Sequence, residues 1–325
     1  MITAYLTKNN LQAETITLDN QHALNDALWI DLLNPTKEEE HLIEKSLGLN
    51  VPTREEMQEI ELSSRLYKEN NAVFMTVTMV AKSDSREPKS DAVTLILVNN
   101  VLITVRYIEP LSFVLFTSRL SHLLPEQHNA VSLLIELLDA SIDRLADILE
   151  NVTRCLDEYS QAIFHNKTYA KSTMHHNYNL LLQKIGYSSD LYTKVEESLT
   201  TFNRLLLFFG NNIHNHVDAN IQSELTILIN DIKSLTEHVN FISNKVNFLF
   251  DATLGMVSIE QNNIIRIFTI AAAILLPPTL VASIYGMNFQ FMPELNWRWG
   301  YPFSIMLILI SAWIPYKFFK KKKWL

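Results

Sequence analysis

The chain has 325 residues, a formal net charge of -8 and 19% charged positions, an ordinary soluble composition when averaged over its length. The average hides an uneven distribution, because no charged residue occurs from Ile267 to Pro293 or from Trp299 to Tyr316. A single cysteine, Cys155, excludes an intramolecular disulfide framework and any cysteine-cluster metal site, and is expected as a small buried side chain.

The first residues, MITAYLTKNNLQAET, lack the basic start and apolar core of a cleavable secretory signal, so the front of the chain is expected to stay where it is made. Strands are expected over Met1 to Leu6, Ala27 to Leu33, Ala72 to Ala81, Ala92 to Val98 and Val101 to Arg106, all rich in Val, Ile, Thr, Leu and aromatics. Asn99 and Asn100 between the last two mark a tight hairpin. Helices are expected over Thr36 to Leu47 and Thr53 to Leu62, the second opened by a capping box of Thr53 and Glu56. The acidic run Glu38 to Glu40 reads as a solvated first turn favoured by the helix dipole. Residues 1–124 therefore form an α+β domain with partly antiparallel pairing.

Punctuation then changes, since no proline lies strictly between Pro125 and Pro277. Ala130 to Phe164 repeats Leu133, Leu134, Leu137, Leu138, Ile142, Leu145, Ile148, Leu149 and Val152 at helical spacing. A second helix is expected from Met174 to Phe209, ended by a turn at Gly210, Asn211 and Asn212. A third starts near Asp218 and carries Leu225, Ile229, Ile232, Leu235, Val239, Ile242, Val246 and Phe250; only Gly255, tolerated at about 1 kcal/mol, interrupts it before the uncharged run. Residues 125–263 thus read as long stalk helices and residues 264–325 as a transmembrane domain. Its spans are placed at 264–286 and 300–319, with an external loop at 287–299, because each apolar run approaches or exceeds the roughly 20 residues a helix needs to cross a bilayer.

Lys317 and Lys320 to Lys323 follow the second span, and a basic cluster beside a span stays on the cytoplasmic side. Two spans then return the chain to its starting side, with both termini cytoplasmic. A two-helix subunit has no interior in which to hide an ion from lipid, so a conducting path must form between copies. On the first span Asn262, Ile265, Thr269, Ala272, Leu276, Thr279 and Ser283 recur at steps of three and four. That face suits a pore wall. Small and hydroxyl residues also pack helices together, and periodicity leaves both readings open.

Between the spans stand Tyr285-Gly286-Met287-Asn288-Phe289 and, shortly after, Met292-Pro293-Glu294-Leu295. With the Pro-containing first span, the basic tail and the long helices, these residues make the chain resemble the CorA family of magnesium transporters, particularly its enterobacterial-type members. The resemblance implies a funnel-shaped homopentamer with two C-terminal transmembrane α-helices, the first lining a central pore. Gly286, Met287 and Asn288 are expected at the external selectivity ring, where neutral oxygens bind hydrated Mg2+ without stripping its water, Met287 fixing the turn. Thr279 is expected to supply a second ring of hydroxyl oxygens. Ile265, Phe268 and Leu276 match the apolar constriction, Asn262 the inner mouth, and Ser283 the same pore-facing stripe. Glu294 is expected to raise the local cation concentration from the outer loop.

The resemblance also implies that cytoplasmic Mg2+ gates the pore by binding acids between neighbouring soluble domains; the candidates here are Asp84, Glu87, Asp91, Glu224 and Asp231. The function expected is potential-driven influx of Mg2+, with Co2+ and Ni2+ as further ions, across a bacterial inner membrane. Mg2+ is then both transported and regulatory ion; the partners are membrane lipid and further copies of the chain. No organic cofactor, nucleotide or nucleic acid is expected, no Walker loop or nucleophile elbow appears among the six glycines, and the chain is not expected to be an enzyme. His175-His176 and His214-Asn215-His216 lack the further ligands of a transition-metal site. Two alternatives stay open: a zinc transporter of the same superfamily, and a membrane-anchored sensor or scaffold.

Overall fold

The structure, a computed structural model, describes residues 1–6, 11–17, 20–85, 87–120, 129–164, 174–213, 219–288, 290, 292–322 and 324. The chain divides into two units, Met1–Ala170 with Asn179–Phe250, and Lys171–Tyr178 with Asp251–Leu325.

The first unit contains strands β1 (Ile2–Leu6), β2 (Gln12–Ile16), β3 (Ala27–Leu33), β4 (Leu66–Glu69), β5 (Ala72–Ala81), β6 (Lys89–Val98) and β7 (Val101–Arg106), of which β3, β5 and β7 are runs rich in apolar and β-branched residues. They form a seven-stranded sheet of order β2-β1-β3-β7-β6-β5-β4 in which only β3 and β7 pair in parallel. Asn99 and Asn100 both take positive φ, 47° and 64°, as a two-residue hairpin demands. The edge strands β2 and β4 are short and largely exposed, which blunts the open edges. Their brevity and polarity also hid them in the sequence.

One face of the sheet buries Ile30, Leu32, Phe74, Ile96 and Ile103 against Ile43 of helix α1 (Lys37–Leu47) and Met57 of α2 (Arg54–Met57). Both helices begin with complete capping boxes, Thr36 with Glu39 and Thr53 with Glu56. The expected single helix over Thr53 to Leu62 is instead two short pieces, α2 and α3 (Leu62–Arg65). At the break, Arg65 Nε donates to the Glu59 carbonyl, which a continuing helix would use itself, and Gln58 is turned toward Asp91 of β6.

The other face carries Trp29, stacked on Tyr5 at 4.3 Å and packed against Phe113 and Phe116 of α4 (Leu111–Leu120). Trp29 Nε1 donates to Thr104, whose hydroxyl donates to Asp31, and Asp31 receives Arg106 through two nitrogens at 2.7 and 3.0 Å. Helix α5 (Ala130–Phe164) buries the whole apolar stripe from Leu133 to Val152 read from the sequence. Helix α6 (Met174–Ile213) is anchored to β5, where Thr201 Oγ1 accepts from the Thr78 amide and Ser198 donates to the Thr78 carbonyl. The turn expected at Gly210 to Asn212 lies inside α6: Gly210 lets Leu225 approach, where an added Cβ would come within 3.0 Å of its Cδ2. Asn212 returns a hydrogen bond to the Phe208 carbonyl, satisfying the backbone of the same helix.

Helix α7 runs from Ala219 to Tyr285 without interruption. Its first half buries Leu228, Ile232, Val239, Ile242, Val246 and Leu249, whereas Phe250 is exposed. Lys245 pairs with Asp157 of α5 at 2.7 Å and Ser243 meets Tyr192 of α6. The second unit contains the rest of α7, a 3-10 turn at Pro293–Asn296 and α8 (Gly300–Lys321).

Candidate functional site

The chemistry of interest gathers where α7 ends. Asn262, Ile265, Thr269, Ala272, Leu276, Thr279 and Ser283 are all exposed, and so is Phe268 at the edge of the same face. Ile265, Phe268 and Leu276 leave 61%, 71% and 66% of their surface uncovered, a burden a water-soluble helix does not carry. Thr269 and Thr279 donate to the carbonyls of Ile265 and Leu275 at 2.8 and 2.7 Å. Each hydroxyl proton is thereby turned back on the helix, and the oxygen lone pairs are left for a cation or its water. Pro277 and Pro278 lack the amide hydrogens that would reach Ala273 and Ile274, so two further carbonyls inside the span lose their helical partner.

Helix α7 stops at Tyr285, and the Gly286 and Met287 amides fold back onto the Ala282 and Ile284 carbonyls at 2.9 and 3.3 Å. Gly286 permits this closure, since a Cβ there would come within 3.2 Å of the Ala282 oxygen. Past the last turn the carbonyls have no amide ahead of them, and this end of the helix carries the negative pole of its dipole. Met287 and Asn288 stand exposed directly beyond that pole. The arrangement presents neutral oxygens to a cation in a negative field.

Glu294 lies exposed in the 3-10 turn that precedes α8. Its carbonyl packs so closely over Gly300 that no side chain would fit there, and it also accepts from the Trp297 amide. Trp299 and Tyr301 mark one end of α8 and Trp313 and Tyr316 lie toward the other, where Lys317 and Lys320 sit over the last two rings at 4.6 and 5.8 Å. Aromatic girdles with lysines reaching past them are what membrane interfaces select. The parts of α7 and α8 long and apolar enough to cross a bilayer are almost wholly unburied within the chain.

The acids expected to sense cytoplasmic ions separate into two groups. Asp84 and Asp91, in and just after the β5–β6 connection, already hold cations: Asp84 pairs with Arg144 at 2.8 Å and Asp91 with Arg54 at 2.9 Å. Burial pushes the Asp91 carboxyl up, but hydrogen bonds from Gln58, its neighbour Ala92 and Arg54 outweigh this and leave it below the usual carboxylate value. Glu87 is exposed in the same connection. Glu224 and Asp231 instead share a field with Asp139 and Asp143 of α5. Burial, then Asp143 and Asp231, with a weaker push from Glu224, hold the Asp139 carboxyl above its ordinary value against the pull of Arg119. Asp139 and Asp143 escaped the sequence reading, although two like charges four residues apart on one helix face are a legible signal.

Among the described residues no group of three or more His, Cys, Asp or Glu is arranged to hold a metal ion. His175 and His176 fall in the first turn of α6 with side chains outside the described residues, and His214, Asn215 and His216 lie outside them altogether. Cys155 is half-buried and unpaired with another cysteine.

A mixed α/β unit, long helices, two C-terminal apolar spans and a polar turn closing the first of them define a two-span membrane transport protein. The chain belongs to the family of CorA-like Mg2+ transporter proteins, whose pattern matches residues 25–321. It is 32% identical to the magnesium transport protein CorA of Yersinia pseudotuberculosis over 325 residues, all of both chains. It is 31% identical to that of Wolinella succinogenes over 313 residues, which cover 95% of this chain and 94% of the relative. The fold is shared with the complete structure of the CorA magnesium transporter from Methanocaldococcus jannaschii, at a TM-score of 0.74 and 19% identity over 97% of this chain and 95% of that one.

Proposed function

We propose that this chain is a magnesium transporter that admits Mg2+ through a pore built from several copies of α7. The observation that carries the reading is the Gly286-Met287-Asn288 turn at the carbonyl pole of an apolar span, in a chain related over its full length to magnesium transport proteins. Relatives bearing that name favour magnesium over the zinc alternative. Mg2+ surrenders its water slowly, so a ring of Asn288 amides and Gly286 carbonyls recognises the hydrated ion, and neutral ligands let it leave. Met287 shapes the turn and Glu294 enriches cations at the mouth. Thr279 and Ser283 continue the polar lining inward. Leu276, Phe268 and Ile265 form an apolar neck that closes by dewetting, and Asn262 ends the path. The driving force is the membrane potential, worth roughly 4.6 kcal/mol per 100 mV for a divalent ion. Co2+ and Ni2+, of similar size and charge, are candidate further substrates.

In this reading the protein is a homopentamer of a bacterial inner membrane with both termini cytoplasmic, an α+β domain at 1–124, a stalk at 125–263 and a transmembrane domain at 264–325. The acids Glu224 and Asp231, with Asp139 and Asp143 beside them, supply the regulatory field for cytoplasmic Mg2+. Asp84 and Asp91 join in competition with Arg144 and Arg54, and Glu87 contributes from the same connection.

The test is uptake of Mg2+ into liposomes holding the purified protein under an inside-negative potential, with Zn2+ as competitor. Wild type is expected to load Mg2+ and Asn288→Ala to lose at least about tenfold of the rate, or 1.4 kcal/mol. Zinc entry without magnesium entry would replace this reading by the zinc alternative, and absence of either flux would leave an anchored sensor.

A further inference from the structure

The first unit holds a cavity of about 710 Å3 that the transport reading does not use. Four of its lining residues are cationic, Arg54, Lys82, Lys89 and Lys194, against two acids, Asp91 and Glu109, an excess of positive charge in a chain whose net charge is -8. The cations converge from separate elements. Lys82 and Lys89 flank one end of the β5–β6 hairpin, where Ala81 faces Lys89 across the ladder, Arg54 opens α2, and Lys194 comes from α6. Asp91 is already engaged by Arg54 and Gln58, and Lys194 also touches Asp190 at 2.6 Å.

The wall is held rigid. Lys82 adopts φ 55°, a left-handed conformation that costs a residue with a Cβ energy and persists only where neighbours impose it. They do so here: the Lys82 carbonyl accepts from both the amide and the hydroxyl of Ser85, at 2.9 and 2.8 Å, while Arg144 and Tyr187 grip the adjacent Ser83 at 2.7 and 3.1 Å. Arg54 lies 4.9 Å above the Tyr107 ring and 2.9 Å from Asp91, with about half of its side chain exposed.

We propose that this cavity binds a small phosphorylated anion, recognised through its phosphate oxygens. The volume suits a small molecule, and a guanidinium beside lysines is the donor set that phosphate selects. Among the described lining residues Tyr107 is the one aromatic, and Arg54 sits over one face of its ring. The ligand class proposed is a phosphate chain or a compact phosphoester.

The experiment is calorimetric titration of the full-length protein in detergent with sodium tripolyphosphate, in metal-stripped buffer so that ion binding at the transport sites is silent. One site per chain is expected, with affinity falling as salt rises. Lys82 and Lys89 are exposed, so the Lys82→Gln/Lys89→Gln double variant keeps the fold and is expected to bind at least about tenfold more weakly. Lys82→Arg/Lys89→Arg is expected to retain binding, and Asn288→Ala to bind as wild type while transporting at least about tenfold more slowly. No heat at millimolar tripolyphosphate, or equal binding in the Gln variant, would overturn the site. ATP binding much tighter than tripolyphosphate would overturn the ligand class.

Discussion

Asp31 and Arg106 are 6% and 11% exposed, and their side chains answer each other through paired hydrogen bonds that Thr104 and Trp29 extend. A buried pair of this kind adds little to stability relative to apolar residues of the same volume, but losing one partner strands the other's charge. Asp31→Ala is expected to cost about 3–5 kcal/mol, and Asp31→Leu with Arg106→Leu markedly less. Chemical unfolding followed by tryptophan fluorescence compares them, and equal losses would contradict the argument. Asp139 poses the opposite case. Its folded-state pKa is raised, so its ionised form burdens the folded state at neutral pH, and that burden lifts as pH falls through the raised value. Asp139→Asn is therefore expected to raise the melting temperature at pH 7 and to lose that advantage in acid. A melting series across pH reads the difference, and a variant less stable at pH 7 would show that Asp139 makes a stabilising contact instead.

At the scale of elements, Gly210 shows how a residue type that ordinarily ends helices can serve one. It costs α6 about 1 kcal/mol relative to alanine but allows Leu225 of α7 to lie against the backbone. Gly210→Ala is expected to stay within about 1 kcal/mol of wild type, since only the mobile end of Leu225 must yield. Gly210→Leu should force the helices apart and lower the melting temperature sharply, and an unchanged melting curve would refute the close approach. This glycine also shows what the sequence could reveal. Strands β5 and β7, the Asn99-Asn100 hairpin, the buried stripe of α5 and the continuity of α7 were legible because period and punctuation agreed. The end of α6 was not, because a Gly-Asn-Asn run carries the same local signal whether the chain turns or another helix presses on it. Helix α2 was overextended for a related reason: Gln58 and Arg65 act through partners far away in the fold or across the turn. At the site, Gly286, Met287 and Asn288 were visible as a motif between two spans, whereas the companionship of Asp139 with Asp231 depends on helices brought together only by folding.

For the molecule as a whole, the exposed apolar surface of α7 and α8 leaves each copy needing an apolar cover, which in the proposed pore comes from lipid on some faces and from other copies on the rest. The proposed pore requires closed symmetry about an axis, and five copies per particle are expected by native mass spectrometry of the detergent-solubilised protein. A stable monomer or dimer that still transports would sink the shared-pore proposal. Orientation is equally open to measurement. A label placed on Glu294→Cys in a Cys155→Ser background is expected to be reached by a membrane-impermeant thiol reagent from outside intact cells. Labelling from the cytoplasmic side alone would reverse the topology.

The stripe from Asn262 to Ser283 advances by three and four residues in alternation, a mean of 3.5, while a straight α-helix turns every 3.6. A face with that spacing slips by roughly 20° in each seven-residue repeat, and holding it toward a common axis requires the helices to wind about one another in a left-handed sense. The proposed bore would therefore behave as a screw. Tightening or relaxing its pitch would swing the Thr279 oxygens and the Leu276 and Ile265 side chains together, so a torque delivered at one end of α7 would reach the mouth without any ring having to move independently.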